Sequence, residues 1–163
     1  MTTTASSPAS TPTATPFRYS DRPTGSLHMN QLEIAISATL QSWRQDPFTW
    51  EDANCGKRLG DYARRLTGFD PAAHWRGFRC GAEKTLEEVH AQGGMLAVLD
   101  TALTRAGWKR VQAPARGDII LADVRGHEAS GLYLGDGKAA YSLESGVLTT
   151  GGGTVLASWR WPL

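Results

Sequence analysis

Apolar residues recur at helical spacing from Asn30 onward, with Leu32, Ile36, Leu40 and Trp43 on one face and Asn30 followed by Glu33 in the form of a capping box. This spacing predicts a helix over 29–44, stopped by Gln45, Asp46 and Pro47. A second stripe, Leu59, Tyr62, Ala63 and Leu66, predicts a helix that begins at Cys55 and closes at Gly68 as its C-cap. Shorter helical patterns cover 83–91 and 94–106, the latter carrying Met95, Leu96, Val98, Leu99 and Leu103 ahead of Gly107. Beyond Trp108 the pattern turns to strands, at 108–111, 119–124, 130–134, 139–143, 147–150 and 155–161, with Gly135, Asp136 and Gly137 as a hairpin turn. Helices first and an antiparallel sheet after them define an α+β domain.

Residues 2–16 contain only Thr, Ser, Pro and Ala, so this stretch has almost nothing to bury, and its three prolines favour extended backbone. Residues 1–27 therefore read as an extended or disordered arm or linker, and 28–163 as one domain. A domain of that size buries roughly two thirds of the surface its unfolded chain exposes, so no metal or disulfide is needed to staple it. No cofactor and no metal are expected.

Charge narrows the partners. Lys and Arg total 17 against 16 Asp and Glu, a net +1 that offers no field for phosphate backbones and disfavours nucleic acid as a partner. No run approaches the roughly 18 apolar residues needed to cross a bilayer, and the N-terminus lacks the basic and apolar regions of a signal peptide. A soluble protein without membrane insertion is expected. The two cysteines, Cys55 and Cys80, form no CxxC pair and fit neither a disulfide scaffold nor a zinc site.

Cys55 is the sharpest chemical candidate, because a thiol in the first turn of a helix feels the partial positive charge there, which favours the thiolate. The alternative is a small buried apolar residue. A catalytic thiol needs an imidazole within reach. Of His28, His74, His90 and His127, the last is the best base, since it stands beside a strand that can cross the start of the Cys55 helix. Between Lys57 and Arg79, six basic residues face two acidic ones, a patch suited to an anionic polymer or to simple solvation. Trp159 and Trp161 share a strand face, while Trp50 and Trp75 lie in loops where they can stack on sugars or fill the core. Gly151 to Gly153 lack the Lys-Ser/Thr of a phosphate loop and read as a flexible hairpin tip.

The order of parts from Phe48 to Trp161 resembles the NlpC-type papain-like cysteine peptidases. It is most similar to an uncharacterised branch found in phage and prophage tail gene clusters. The marks are Phe48-Thr-Trp-Glu-Asp-Ala-Asn-Cys55, Gly68-Phe-Asp-Pro71 followed by Arg76-Gly77, Arg116-Gly-Asp-Ile-Ile-Leu121, Gly131-Leu-Tyr-Leu-Gly135 and Ser158-Trp-Arg160. The resemblance implies a papain-like fold, helices packed on the antiparallel sheet, with peptidoglycan stem peptides as substrates. Cys55 falls on the nucleophile, but the family histidine falls on Ala129 and the third polar residue on Tyr141; Asn54 replaces an aspartate yet still caps the helix. His127 lies on the face of Ala129, roughly 6.6 Å back along the strand, and needs a bulge at Gly126 to swing forward.

Two functions follow from the resemblance. One is a structural tail-tip component of a phage or prophage virion, made in the host bacterial cytoplasm, with a degenerate site and with residues 1–27 tying it to other tail-tip proteins. The other is an active peptidoglycan-cleaving cysteine peptidase or amidase, with Cys55 as nucleophile and His127 as base. The second requires a free Cys55, not one bonded to Cys80.

Overall fold

In a computed structural model, residues 24–163 are described, so the expected conformation of the arm up to residue 23 lies outside the described residues. Four helices, α1 (Thr24–Gln45), α2 (Cys55–Thr67), α3 (Ala82–Ala91) and α4 (Met95–Arg105), precede six strands: β1 (Lys109–Val111), β2 (Ile119–Val124), β3 (His127–Gly135), β4 (Lys138–Leu143), β5 (Gly146–Thr150) and β6 (Thr154–Arg160). A 3-10 turn at Ala73–Trp75 separates α2 from α3. The α+β class, helices before an antiparallel sheet, is what the periodicity predicts.

The boundaries differ at informative places. α1 starts at Thr24, inside the segment assigned to the arm, so Asn30 lies within the helix and caps nothing. Only Gly25 in Thr24–Met29 opposes helix, and one glycine costs about 1 kcal/mol, too little to stop propagation. Glu33, freed from a capping box, grips Arg116 with both carboxylate oxygens at 2.7 and 2.9 Å. β3 begins at His127 rather than 130. Arg125 and Gly126, both at positive φ, make a tight two-residue turn that lets pairing run from Val124–His127 without a bulge.

The strands lie in the order β1-β6-β2-β3-β4-β5, every pair antiparallel. The glycine run is therefore no hairpin tip. It connects edge strand β5 to β6, four interstrand steps away, about 19 Å in a flat sheet. Thr150 and Thr154 are four Cα steps apart, a reach of about 15 Å at most. The sheet must curl to close that gap. It curls toward the face of Ile120, Ala122, Ala139 and Tyr141, because a Cβ on Gly153 would lie 3.3 Å from the Tyr141 hydroxyl. These four residues form a second, small core inside the curl.

The main core occupies the other face, where Ile119, Leu121, Leu132, Ala140, Ala157 and Trp159 meet Leu32, Ile36 and Trp43 of α1, Leu59, Tyr62 and Ala63 of α2, and Leu99 and Leu103 of α4. Trp159 and Trp161 belong to this core, and the buried Trp159 ring donates to Asp100 at 2.9 Å, so packing rather than sugar stacking explains both. Among the described residues no helix is long and apolar enough to cross a membrane.

Candidate functional site

α2 is placed by its first turn. The Asn54 side chain accepts from the Lys57 N–H at 3.0 Å and donates to the Trp50 carbonyl at 3.0 Å, which caps the helix and ties the preceding loop to it. Gly68 ends the helix in the left-handed region, its N–H on the Arg64 carbonyl at 2.8 Å. Gly60, mid-helix, allows the 70–72 loop to approach, since a Cβ there would meet Ala72 Cβ at 2.6 Å.

The basic stretch from Lys57 to Arg79 is largely engaged within the fold, with Arg64 exposed and 3.9 Å from Asp61. Lys57 is buried and donates to the carbonyls of Glu51 and Phe78, and burial pushes its pKa down. Arg58, also buried, donates to the carbonyls of Trp43 and Asp46 and to the Ser142 hydroxyl. Arg76 pairs with Asp61 and Asp70, each at 2.9 Å, and Arg79 with Asp52 at 2.7 Å. Arg65 donates to Thr39 Oγ1. These contacts tie α2 to α1, to β4 and to its flanking loops, and the Arg79–Asp52 pair joins the loops to each other.

Those loops wall a cavity of about 230 Å³, at whose edge Cys55 opens α2. Trp50 and Trp75, the loop tryptophans, both line it, braced edge-on by Phe48 and Phe78 at 5.3 and 5.7 Å between centroids. α3 and α4 contribute Leu86, Val89, Met95 and Val98, the sheet contributes Glu128, Ser130 and Ser142, and the β4–β5 turn contributes Glu144. The lining is predominantly apolar.

Which strand residues face the thiol follows from strand alternation. Leu132 and Ala140 are cross-strand partners in the main core, so Ser130 and Ser142, two residues away on each strand, share the helix side. Ser130 is the hydroxyl that acts on Cys55. Burial pushes the Cys55 thiol up, and the Ser130 hydroxyl and the N–H groups at the helix start pull it only partly back. The expected activation by the helix terminus is thus outweighed by desolvation. Ser130 Oγ itself is buried and makes no well-formed hydrogen bond among the described residues. Both cysteines are free thiols, so no Cys55–Cys80 bond occupies the site.

Ala129 and Tyr141 lie on the opposite face, in the small core within the curl. The Tyr141 ring lies over Gly131, where a Cβ would come within 2.6 Å of it. His127, two residues from Ala129, shares that face and is exposed at the end of the β2–β3 hairpin. Neither His127 nor Tyr141 lines the cavity, and the regular pairing at Val124–His127 leaves no bulge to bring the imidazole around. His28, His74 and His90 are exposed as well and absent from the lining. The structure therefore brings Cys55 together with Ser130, with Ser142 on the same cavity wall, rather than with the histidine and tyrosine singled out from sequence. Counting back by twos from buried Leu132 is the sequence signal that finds Ser130. Among the described residues, no group of three or more His, Cys, Asp or Glu gathers to hold a metal.

The molecule is thus of the class in which a thiol heads a helix laid against a curled antiparallel sheet. Within that class, the chain belongs to the family described as a domain of unknown function, DUF6950, whose model matches residues 28–161 and so spans every residue of the cavity. No curated protein matches the chain.

Proposed function

We propose that this protein is a phage or prophage tail-tip component in which an NlpC-type papain-like fold serves as a structural part and no longer hydrolyses peptide bonds. One observation carries the non-catalytic half: the thiol at the nucleophile position faces a serine hydroxyl, none of the four histidines lines its cavity, and its pKa is pushed up. A thiol so placed is mostly protonated at neutral pH and has no imidazole beside it to take its proton and return it to a leaving amine. The tail-tip half rests on the order of motifs from Phe48 to Arg160. The resemblance also makes virions the place where the protein resides and other tail-tip proteins its neighbours.

The competing reading, a peptidoglycan-cleaving cysteine peptidase, keeps one feature in its favour: Cys55 is free and stands at the wall of a cavity. Purified protein and Cys55→Ala are incubated with peptidoglycan beside an active control. The expected outcome is no muropeptide release from either. Release by the parent and not by Cys55→Ala would overturn the non-catalytic reading, and a virion preparation lacking the protein would overturn the tail-tip reading.

A further inference from the structure

The cavity beside Cys55 has a size and a charged mouth that together describe an occupant. An apolar cavity of about 150 Å³ admits a benzene ring. At about 230 Å³ this one takes a phenyl or phenol side chain with room to spare. At its mouth stand Glu128 and Glu144, which continue the helix-facing side of β3 and β4. Both are exposed, and neither is in an ion pair among the described residues. An aromatic ring next to a cation answers the cavity and its rim.

This chain contains such a segment. The otherwise Thr/Ser/Pro/Ala-rich arm is interrupted by Phe17-Arg18-Tyr19, with Arg22 close behind. Its own arm does not reach. The cavity mouth lies at the C-terminal end of α1, since Phe48 and Glu144 border both the cavity and the cleft formed by Trp43–Pro47. From Thr24 to that end α1 is about 32 Å long, whereas the seven residues from Phe17 to Thr24 span at most about 24 Å.

We propose that the cavity receives the Phe17-Arg18-Tyr19 segment of a second copy of this chain, an aromatic ring entering between Trp50 and Trp75 and Arg18 lying against Glu128 and Glu144. The inference deepens the structural reading of the same cavity, which becomes the socket by which copies link through their arms. Each copy then carries one plug and one socket, so two copies can exchange arms reciprocally as a closed pair, and a one-way contact extends into rings or chains.

The test is sedimentation of the full chain over a range of concentrations. Reversible, concentration-dependent association is expected, weakened at least about tenfold in Phe17→Ala/Tyr19→Ala, because the burial of a large aromatic side chain is lost. Arg18→Glu also weakens it, and Arg18→Glu combined with Glu128→Arg recovers association relative to Arg18→Glu alone. A peptide of residues 14–24 binds the Phe17→Ala/Tyr19→Ala chain by calorimetry. Phe17, Arg18 and Tyr19 precede the helix that begins the described domain, whereas Glu128 is an exposed residue of β3, so circular dichroism of each variant, Glu128→Arg above all, separates lost association from lost folding. A monomer at every concentration, association untouched by the double substitution, or no heat from the peptide would overturn the proposal. Muropeptide release would overturn only the non-catalytic reading, and loss of arm docking would leave that reading standing.

Discussion

Cys55 sits where a helix terminus and an apolar cavity pull its proton in opposite directions, and burial wins. Its alkylation at neutral pH is therefore expected to be slower than in the unfolded chain and to climb as pH rises. Ser130→Ala, which removes the hydroxyl that lowers the thiol pKa, slows it further. Peptide mapping after iodoacetamide, which separates Cys55 from Cys80, reads both rates. A Cys55 as fast as the unfolded thiol would contradict the assignment. Arg58 is the costlier residue to disturb. Arg58→Met leaves the Trp43 and Asp46 carbonyls and the Ser142 hydroxyl without their donor, a loss of about 2–4 kcal/mol, measured as a lower urea midpoint. Gly131→Ala drives a methyl against the Ala140 carbonyl and the Tyr141 ring and costs about 1–3 kcal/mol by the same measurement.

At the scale of elements, helix and strand identities were legible because each pays out its own period of apolar residues, and α2 was legible to the residue because Asn54 and Gly68 are local signals. Register was not. Assigning the site by motif put Ala129 and Tyr141 toward the thiol, and a step of one residue along a strand turns every side chain to the other face. The correct face is marked only by which residues are buried against the helices, Leu132 and Ala140 among them. The start of α1 was misplaced for a related reason: Asn30 and Glu33 match a local capping rule, but Glu33 has a partner 83 residues away in Arg116. That pair has a testable pH signature. Arg116 holds the Glu33 carboxyl below its ordinary value, so its contribution is complete above the ordinary carboxylate range and is lost as pH falls through the depressed value. Both side chains are more than a third exposed, which limits the contribution to under about 1 kcal/mol. Glu33→Gln is expected to lower stability by that amount at neutral pH and by nothing in acid, in paired urea titrations.

At the scale of the whole molecule, the three glycines between β5 and β6 set how far the sheet must curl. Doubling the link by inserting three more glycines costs only about 0.6 kcal/mol of closure entropy. Removing one leaves three Cα steps, about 11 Å, to cover the same gap and costs more than the insertion does. Equal tolerance of insertion and deletion in thermal melts would show that the link is slack. The curl also decides what the two faces of the sheet are for. One closes on itself over Tyr141, and the other receives the helices and leaves the cavity beside Cys55.

The sequence by itself determined the elements, their order and the caps of α2, because periodicity, turn chemistry and capping act over a few residues. It also isolated Cys55 as a thiol at a helix start. Only the tertiary structure decided what that thiol meets. Partners on β3 and β4, the loop ties of Lys57 and Arg58, and the exposure of all four histidines depend on strand register and on the curl of the sheet, which are set by burial across the whole chain.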